Sequence, residues 1–295
     1  MIYSLYLPLV VACLLAMAGP VVSRHLTPSA ATRLLCALAL LSAVATVGTL
    51  ALLAVGGSVK MLPFLGVGAD REQLVGGRDG VPWPIGAVAL VMLVLLAVRT
   101  VFAVVHEWQT LRELQEVVNE SEDGLMVLVD SRPYAFAVPI GAGTVIVSTA
   151  MLETLTGPER QALLAHEQAH LTNRHHLYQV IAVIAVAINP LLGTIRREIK
   201  LQTERWADER AAEEAGRPVT ARSLARAALA ATRTPPSVMA YTSDHVRERL
   251  AALAVEPPTS RWATVIPVAI AVIVGGAALL DALKACVTVL EVFYP

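Results

Sequence analysis

Apolar residues in this chain gather in four long runs, separated by segments that carry charged and turn-forming residues. Each run has about the 20 residues that an α-helix needs to cross the hydrocarbon core of a bilayer. The first run has no basic residues ahead of it and a second run follows closely, so we interpret it as a retained span and not as a signal peptide. The pattern predicts a mainly α-helical membrane protein with four transmembrane helices, at Ile2–Val22, Leu34–Val55, Ile85–Val105 and Trp262–Leu280.

The segment between the third and fourth runs has the mixed polar pattern of a folded domain. It contains three short β-like runs, separated by turn-forming Pro, Gly and Asp residues. These runs predict a small antiparallel sheet made of Leu125–Val129, Tyr134–Val138 and Thr144–Ser148. The run Thr144–Ser148 is expected to present an exposed edge, on which an extended peptide substrate adds as a further strand.

Helical patterns surround the predicted strands, and the helix that follows them has a clear start signal. Thr156 is suited to cap this helix, with Pro158 and Glu159 in its first turn. The predicted helices are Glu107–Glu122, Thr156–Leu171, Thr194–Ala215, Ala221–Thr232 and Asp244–Ala254. We expect a membrane domain at 1–105, an α+β domain at 106–261, and a transmembrane helix with a short tail at 262–295.

A shorter apolar segment at 177–192 interrupts the polar domain. It is shorter than the roughly 20 residues that a transmembrane helix needs, and basic residues flank it on both sides. Asn189 and Pro190 are expected to end its helix. We predict that the segment does not cross the membrane, and that it dips into the bilayer, lies along it, or packs as a buried hairpin.

Composition agrees with a membrane protein, because 56% of the residues are hydrophobic and only 16% are charged. The net charge of −1 provides no general basic field for direct nucleic-acid binding. Cys13, Cys36 and Cys286 lie in or beside apolar runs, so we expect packing roles and no disulfide or zinc–cysteine framework. Most Lys and Arg residues lie in the polar domain, which favours a multi-pass protein of the cell membrane with this domain in the cytoplasm.

The chemistry-bearing motif is His166-Glu167-Gln168-Ala169-His170, an HExxH sequence on a predicted helix. Residues four apart share one helical face, so both imidazoles can reach one metal ion. Glu167 is placed to act as general base, and zinc would polarise the scissile carbonyl and activate a water molecule. The alternative interpretation is a pair of histidines that form ion pairs on a helix surface.

A catalytic zinc ion needs a third protein ligand and one open position. Glu204 and Asp208 lie four apart on the charged helix, so they share a face. The economical assignment is one zinc ion held by His166, His170 and Glu204, with Asp208 orienting one of the histidines through its free N–H. The alternative is a solvated acidic face, because further glutamates follow nearby.

Three other histidines are candidates for less direct roles. His175 and His176 follow the motif too closely and are expected on another face, at the surface or the membrane interface. His245 is a possible oxyanion stabiliser, although its spacing does not require that role.

Several segments together resemble a known family of membrane metallopeptidases, those related to BlaR and MecR. The similar segments are Ala135–Pro139, Gly143–Thr149, Glu159–His170, Asn189-Pro190-Leu191 and Glu204 with Asp208. The resemblance implies a gluzincin-like zinc site that faces the cytoplasm. It also implies direct or indirect cleavage of a winged-helix repressor of the BlaI/MecI type, which makes a protein substrate and the lipid bilayer the expected partners.

The chain departs from the full-length sensors of that family because only a short tail follows the last apolar run. We therefore expect a short form without the penicillin-binding sensor domain. The nearest rivals are relatives of HtpX and the CAAX prenyl proteases, which share the HExxH and Glu-x-x-x-Asp patterns. They would imply a peptidase for quality control or processing of membrane proteins. A third hypothesis is a non-catalytic scaffold in which the metal only holds the fold.

Overall fold

The computed structural model describes residues 14, 17–59, 81–118, 124–231 and 245–256, together with isolated helical positions between 266 and 284. These residues form mostly helices and one three-stranded sheet. The helices are α1 Pro28–Val59, α2 Trp83–Val118, α3 Thr149–Thr154, α4 Gly157–Thr172, α5 His175–Ile188, α6 Gly193–Ala215, α7 Arg217–Ala231 and α8 Val246–Leu253. The strands are β1 Leu125–Leu128, β2 Ala135–Val138 and β3 Thr144–Ser148.

Helices α1 and α2 are long and apolar enough to cross a bilayer. They contain the second and third of the predicted apolar runs, whereas the first and fourth runs lie largely outside the described residues. Only 11% of the most apolar part of α2 is buried, and Phe102 on this helix is 71% exposed. Such a surface is costly in water and is suited to lipid, because hydrocarbon removes the apolar side chains from water.

Two glycines bring α1 and α2 into backbone contact. A Cβ atom on Gly86 would lie 2.6 Å from the Cα atom of Gly57, and one on Gly57 would lie 2.5 Å from the Cα atom of Gly86. Small residues at such crossings allow membrane helices to approach closely, where dispersion and weak hydrogen bonds stabilise the pair. The contact fixes how the membrane helices lie against each other.

The apolar segment after α4 forms one arm of a hairpin against α1. Helix α5 and helix α6 are joined by a short 3-10 turn at Pro190–Leu192, and Gln179 on α5 donates a hydrogen bond of 2.8 Å to Thr203 on α6. A core joins the hairpin to one face of α1, with Leu35, Cys36, Ala39, Ala43, Ala182, Ala185, Leu192, Ile195 and Ile199 as its buried members. The segment at 177–192 is thus a helix and a turn that form one arm of this hairpin, and its position relative to a bilayer stays a prediction.

A hydrogen bond closes the turn of the hairpin against the membrane helix. The side chain of Asn189 donates to Thr46 of α1 at 3.1 Å and accepts from the backbone N–H of Leu191. Asn189 and Thr46 are both buried. A buried amide without such partners would be costly, so this bond holds the hairpin at one depth along α1.

The sheet is mixed, and the prediction of an antiparallel sheet is wrong. The strand order is β1-β3-β2, in which β1 pairs with β3 in parallel and β2 pairs with β3 antiparallel. All five residues of Thr144–Ser148 are buried, because this strand is central. The expectation that Thr144–Ser148 presents an exposed edge is therefore also wrong, and among the described strands β2 has an open edge.

The start of α4 and the end of α6 follow the sequence signals, but other boundaries differ. Helix α7 begins at Arg217, ahead of the predicted start at Ala221, and the pattern does not predict the short helix α3. Helix α4 begins after Thr156, whose backbone N–H donates to the Glu159 carboxylate at 3.0 Å, as a capping box does. Helix α6 ends at Gly216, which has a φ of 82° that favours glycine. The predicted helix Glu107–Glu122 is not separate, because α2 continues without a break from the membrane run into the polar segment.

We predict that G86A destabilises the protein because the added methyl group meets backbone that must shift. Overpacking of this kind costs about 1–3 kcal/mol. The measurement is the thermal unfolding midpoint of detergent-purified protein. G193A is the matched control, because a Cβ at Gly193 has nothing within 4 Å. Equal midpoints for the two variants would contradict the close crossing.

Candidate metal centre

Two helices bring three metal-binding side chains together. His166 and His170 project from α4, and Glu204 projects from α6, which packs against α4. The Nε2 atoms of the two histidines lie 3.2 Å apart. The Glu204 carboxylate oxygens lie 3.5 Å from His166 Nε2 and 3.6 Å from His170 Nε2. One candidate ligand atom from each residue thus lies within 4.8 Å of the others.

This donor set fits a catalytic zinc ion. Zinc binds imidazole nitrogen and carboxylate oxygen at about 2.0–2.2 Å in a tetrahedral arrangement, which places pairs of ligand atoms about 3.3–3.5 Å apart. The three separations between these side chains are close to that spacing. Three protein ligands leave a fourth position, and these residues line a cavity from which a substrate can reach it.

A buried arginine holds the two acidic residues of α6. Arg249 on α8 is 3% exposed and donates two hydrogen bonds to Asp208, from Nε at 2.8 Å and from Nη2 at 2.7 Å. Its Nη1 atom lies 2.8 Å from Glu204 Oε2. Asp208 Oδ1 in turn lies 3.0 Å from Nδ1 of His166. A chain of contacts therefore runs from Arg249 through Asp208 to His166, with a branch to Glu204.

The charges of this cluster depend on one another. Burial raises the pKa of Glu204 and Asp208, but the Arg249 guanidinium and the neighbouring His166 together outweigh it and hold both pKa values below their ordinary range. Burial lowers the pKa of His166, but its hydrogen bonds to Asp208 and Glu204 dominate and raise this pKa to about 10. Burial lowers the pKa of His170 to about 4. In the absence of metal, His166 thus carries the proton that balances the carboxylates.

Glu167 lies beside the cluster in the environment of a general base. Burial raises the pKa of its carboxyl group to about 7, although the His166 charge opposes this shift. The backbone N–H of Ala137 on β2 donates to Glu167 and orients it. A base with a pKa near the working pH is well suited to accept a proton and to return it.

The cluster opens into a cavity of about 450 Å³ between the helices and the sheet. Its apolar walls come from the polar end of α2, from β2, from α4 and from α7, with Leu111, Leu114, Phe136, Leu163 and Leu224 among the lining residues. Glu167 and the three candidate ligands are among its polar lining residues. A mostly apolar pocket with a few convergent polar groups is the usual form of a small binding or catalytic site.

The predicted positions of the other histidines need correction. His175 is only 1% exposed, and its Nδ1 lies 3.0 Å from Nδ1 of His170, so the expectation of a surface position is wrong. His176 is partly buried and, like His175, lines the cavity. His245 is not among the lining residues, and its Nδ1 lies 4.0 Å from Glu248.

Sequence reasoning missed Arg249 as well as the burial of His175. The buried acidic pair at 204 and 208 does require a cation, because unpaired buried carboxylates are costly. Spacing could not select one arginine among the many in this domain. His175 was misplaced because Arg174 adopts a left-handed conformation with a φ of 51°, which redirects the chain between α4 and α5.

Comparison with known proteins supports a metallopeptidase. Residues 105–189 match the family model of Peptidase family M48. The match runs from the polar end of α2 to the end of α5 and includes His166, Glu167 and His170, but ends before Glu204. No curated protein and no solved structure matches the chain. The match and the three-residue cluster together support a zinc metalloprotease of a type that is often membrane-bound.

We predict that R249M destabilises the protein by about 3–5 kcal/mol, because it leaves two buried carboxylates without their cation. The measurement is the free energy of unfolding of the metal-free protein in detergent. R247M is the matched control, because Arg247 lies on the same helix and is exposed. Similar stability of the two variants would show that Arg249 does not hold the carboxylates.

We also predict that zinc affinity rises with pH by up to about tenfold per pH unit, because His166 must lose its proton to bind metal. The pKa of His166 in the folded metal-free protein is raised to about 10 from an ordinary 6.5. The proton therefore stabilises the metal-free fold fully below pH 6.5, and this contribution disappears as the pH rises through about 10.

The measurement is zinc affinity by chelator competition between about pH 7 and pH 9, within the window that the His166 shift defines. H245Q is the control, because His245 lies outside the cavity and its loss should leave the slope unchanged. A zinc affinity that does not vary with pH would exclude a protonated His166.

Proposed function

We propose that this protein is a membrane-anchored zinc endopeptidase, in which His166, His170 and Glu204 hold one zinc ion and Glu167 is the general base. The observation that carries the proposal is the convergence of two imidazole nitrogens and one carboxylate beside a buried glutamate, at the wall of a cavity. Asp208 orients His166, since its carboxylate lies within hydrogen-bond distance of the ring Nδ1.

The chemistry divides between the metal and the side chains. When bound, zinc supplies Lewis-acid polarisation of the scissile carbonyl and lowers the pKa of water. Glu167 accepts a proton from the attacking water and then delivers it to the leaving amine, for which a pKa of about 7 is well matched. The Ala137 N–H holds the Glu167 carboxylate in place during both transfers.

The open edge of β2 is the proposed seat of the substrate. The N–H of Ser148 bonds to the carbonyl of Tyr134, and hydrogen-bonded pairs alternate along an antiparallel ladder. The peptide groups of Ala135 and Ala137 therefore point away from β3, toward the open edge. An extended substrate can pair with the Ala135 peptide group and pass Glu167, in the manner of strand addition.

For the substrate itself, we propose a specific cytoplasmic protein, such as a winged-helix repressor of the BlaI/MecI type. This part rests on the resemblance of the motifs in the catalytic domain to BlaR and MecR. It includes a multi-pass position in the cell membrane with the peptidase domain in the cytoplasm, which the concentration of Lys and Arg in that domain supports.

The second candidate function is processing or quality control of membrane proteins, as in HtpX or CAAX proteases. One observation favours it: α2, which is long enough to cross the bilayer, contributes Leu111 and Leu114 to the cavity wall. A substrate segment that leaves the bilayer beside α2 would meet the cavity directly. The two functions share one site and differ in the protein that reaches it.

We predict that E167Q keeps zinc but loses at least about a hundredfold in peptide-bond cleavage, because the amide cannot accept the proton. E204A should instead lose zinc affinity, because it removes a ligand. Zinc content and cleavage are measured for wild type and both variants in detergent. A soluble winged-helix repressor and an unfolded membrane protein serve as parallel substrates.

The substrate that wild type cleaves distinguishes the two candidate functions. Cleavage of the repressor alone supports the regulatory protease, and cleavage of the unfolded membrane protein alone supports the processing role. If E167Q cleaves as fast as wild type, Glu167 is not the base. If wild type binds no zinc, the peptidase proposal fails.

A further inference from the structure

His175 is a buried imidazole in direct contact with one of the proposed zinc ligands. Its ring stands nearly perpendicular to that of His170, at 88°, with 4.7 Å between the ring centroids. The two Nδ1 atoms lie 3.0 Å apart, a normal hydrogen-bond length. The proposed cleavage of a peptide bond does not itself involve this side chain.

The proton in this pair has only one consistent position once His170 binds metal. His170 turns its Nε2 atom toward His166 and Glu204, so Nε2 is its ligand atom. A neutral imidazole that binds through Nε2 carries its proton on Nδ1. That N–H donates to Nδ1 of His175, which must then be the unprotonated nitrogen of its ring.

We propose that His175 is the positioning residue for His170, as Asp208 is for His166. It accepts a hydrogen bond from the Nδ1–H of His170, fixes the tautomer, and keeps the Nε2 lone pair aimed at the metal. The inference rests on the proposed zinc site. Groups of this kind orient the ligands of metal sites and usually alter metal affinity when they are removed.

The surroundings of His175 hold its ring in place. It is the first residue of α5, directly after the left-handed Arg174. Its ring packs against Trp206 of α6 with 4.9 Å between the ring centroids. The guanidinium carbon of Arg33 on α1 lies over the same Trp206 ring, 5.4 Å from its centroid. Among the described residues, Nε2 of His175 has no hydrogen-bond partner, so its Nδ1 contact with His170 is the polar contact that fixes it.

The two ligands are therefore oriented by different groups. His166 faces a carboxylate that Arg249 holds ionised, whereas His170 faces a neutral imidazole. A carboxylate is the stronger acceptor and makes its histidine the more electron-rich ligand.

The test compares H175L with H175N in full-length, detergent-purified protein. Leucine fills the site but cannot accept a hydrogen bond, while the Oδ1 atom of asparagine takes nearly the place of Nδ1 and can accept one. We expect H175L to weaken zinc binding by about 10–100-fold in chelator competition, and H175N to stay close to wild type. Cobalt(II) substitution adds a spectroscopic readout, and its visible absorption should change in H175L only.

Nitrogen NMR of zinc-loaded wild type with labelled histidine tests the tautomer without any variant. We expect His175 to be unprotonated at Nδ1 and protonated at Nε2. The opposite tautomer overturns the proposal, as does equal zinc affinity of H175L, H175N and wild type, or an equal loss in both variants. Absence of zinc from wild type would instead overturn the proposed function, and this is seen before any variant is compared.

Discussion

The candidate centre depends on one buried cation. Arg249 neutralises Glu204 and Asp208, which lie on one face of α6 and would otherwise repel each other in a desolvated site. It also leaves Asp208 ionised, so that this carboxylate can accept a hydrogen bond from the Nδ1–H of His166. Arg249 on α8 thus holds the acidic face of α6, and Glu204 and Asp208 on that face contact the two histidines of α4.

The candidate centre also requires that the domain containing it keeps its position against helices α1 and α2. The hairpin of α5 and α6 holds this position, because one face of the hairpin packs on α1 and the other faces the candidate metal centre. Asn189 binds Thr46 at the turn, and Trp206 meets Arg33 and His175 at the opposite end. The helix that bears Glu204 therefore also packs against α1, which is long and apolar enough to cross a bilayer.

The sequence predicts features that depend on neighbouring residues, such as which side chains share a helical face. It does not predict features that depend on how distant segments pack. The spacing of His166 and His170 and that of Glu204 and Asp208 place each pair on one helical face regardless of tertiary structure. Strand order depends on pairing between distant segments, so β3 was mistaken for an edge. The choice of Arg249 and the burial of His175 depend on how helices pack, which spacing along the chain does not contain.

The unbroken helix α2 has a mechanical consequence. Its 36 residues extend over about 54 Å, from the apolar surface suited to lipid to the wall of the cavity. A rigid rod of that length converts a tilt of about 5° at one end into a shift of about 5 Å at the other. Membrane helices tilt when bilayer thickness changes. If α2 spans a bilayer, a change in bilayer thickness that tilts this helix would therefore also move Leu111 and Leu114 in the cavity wall.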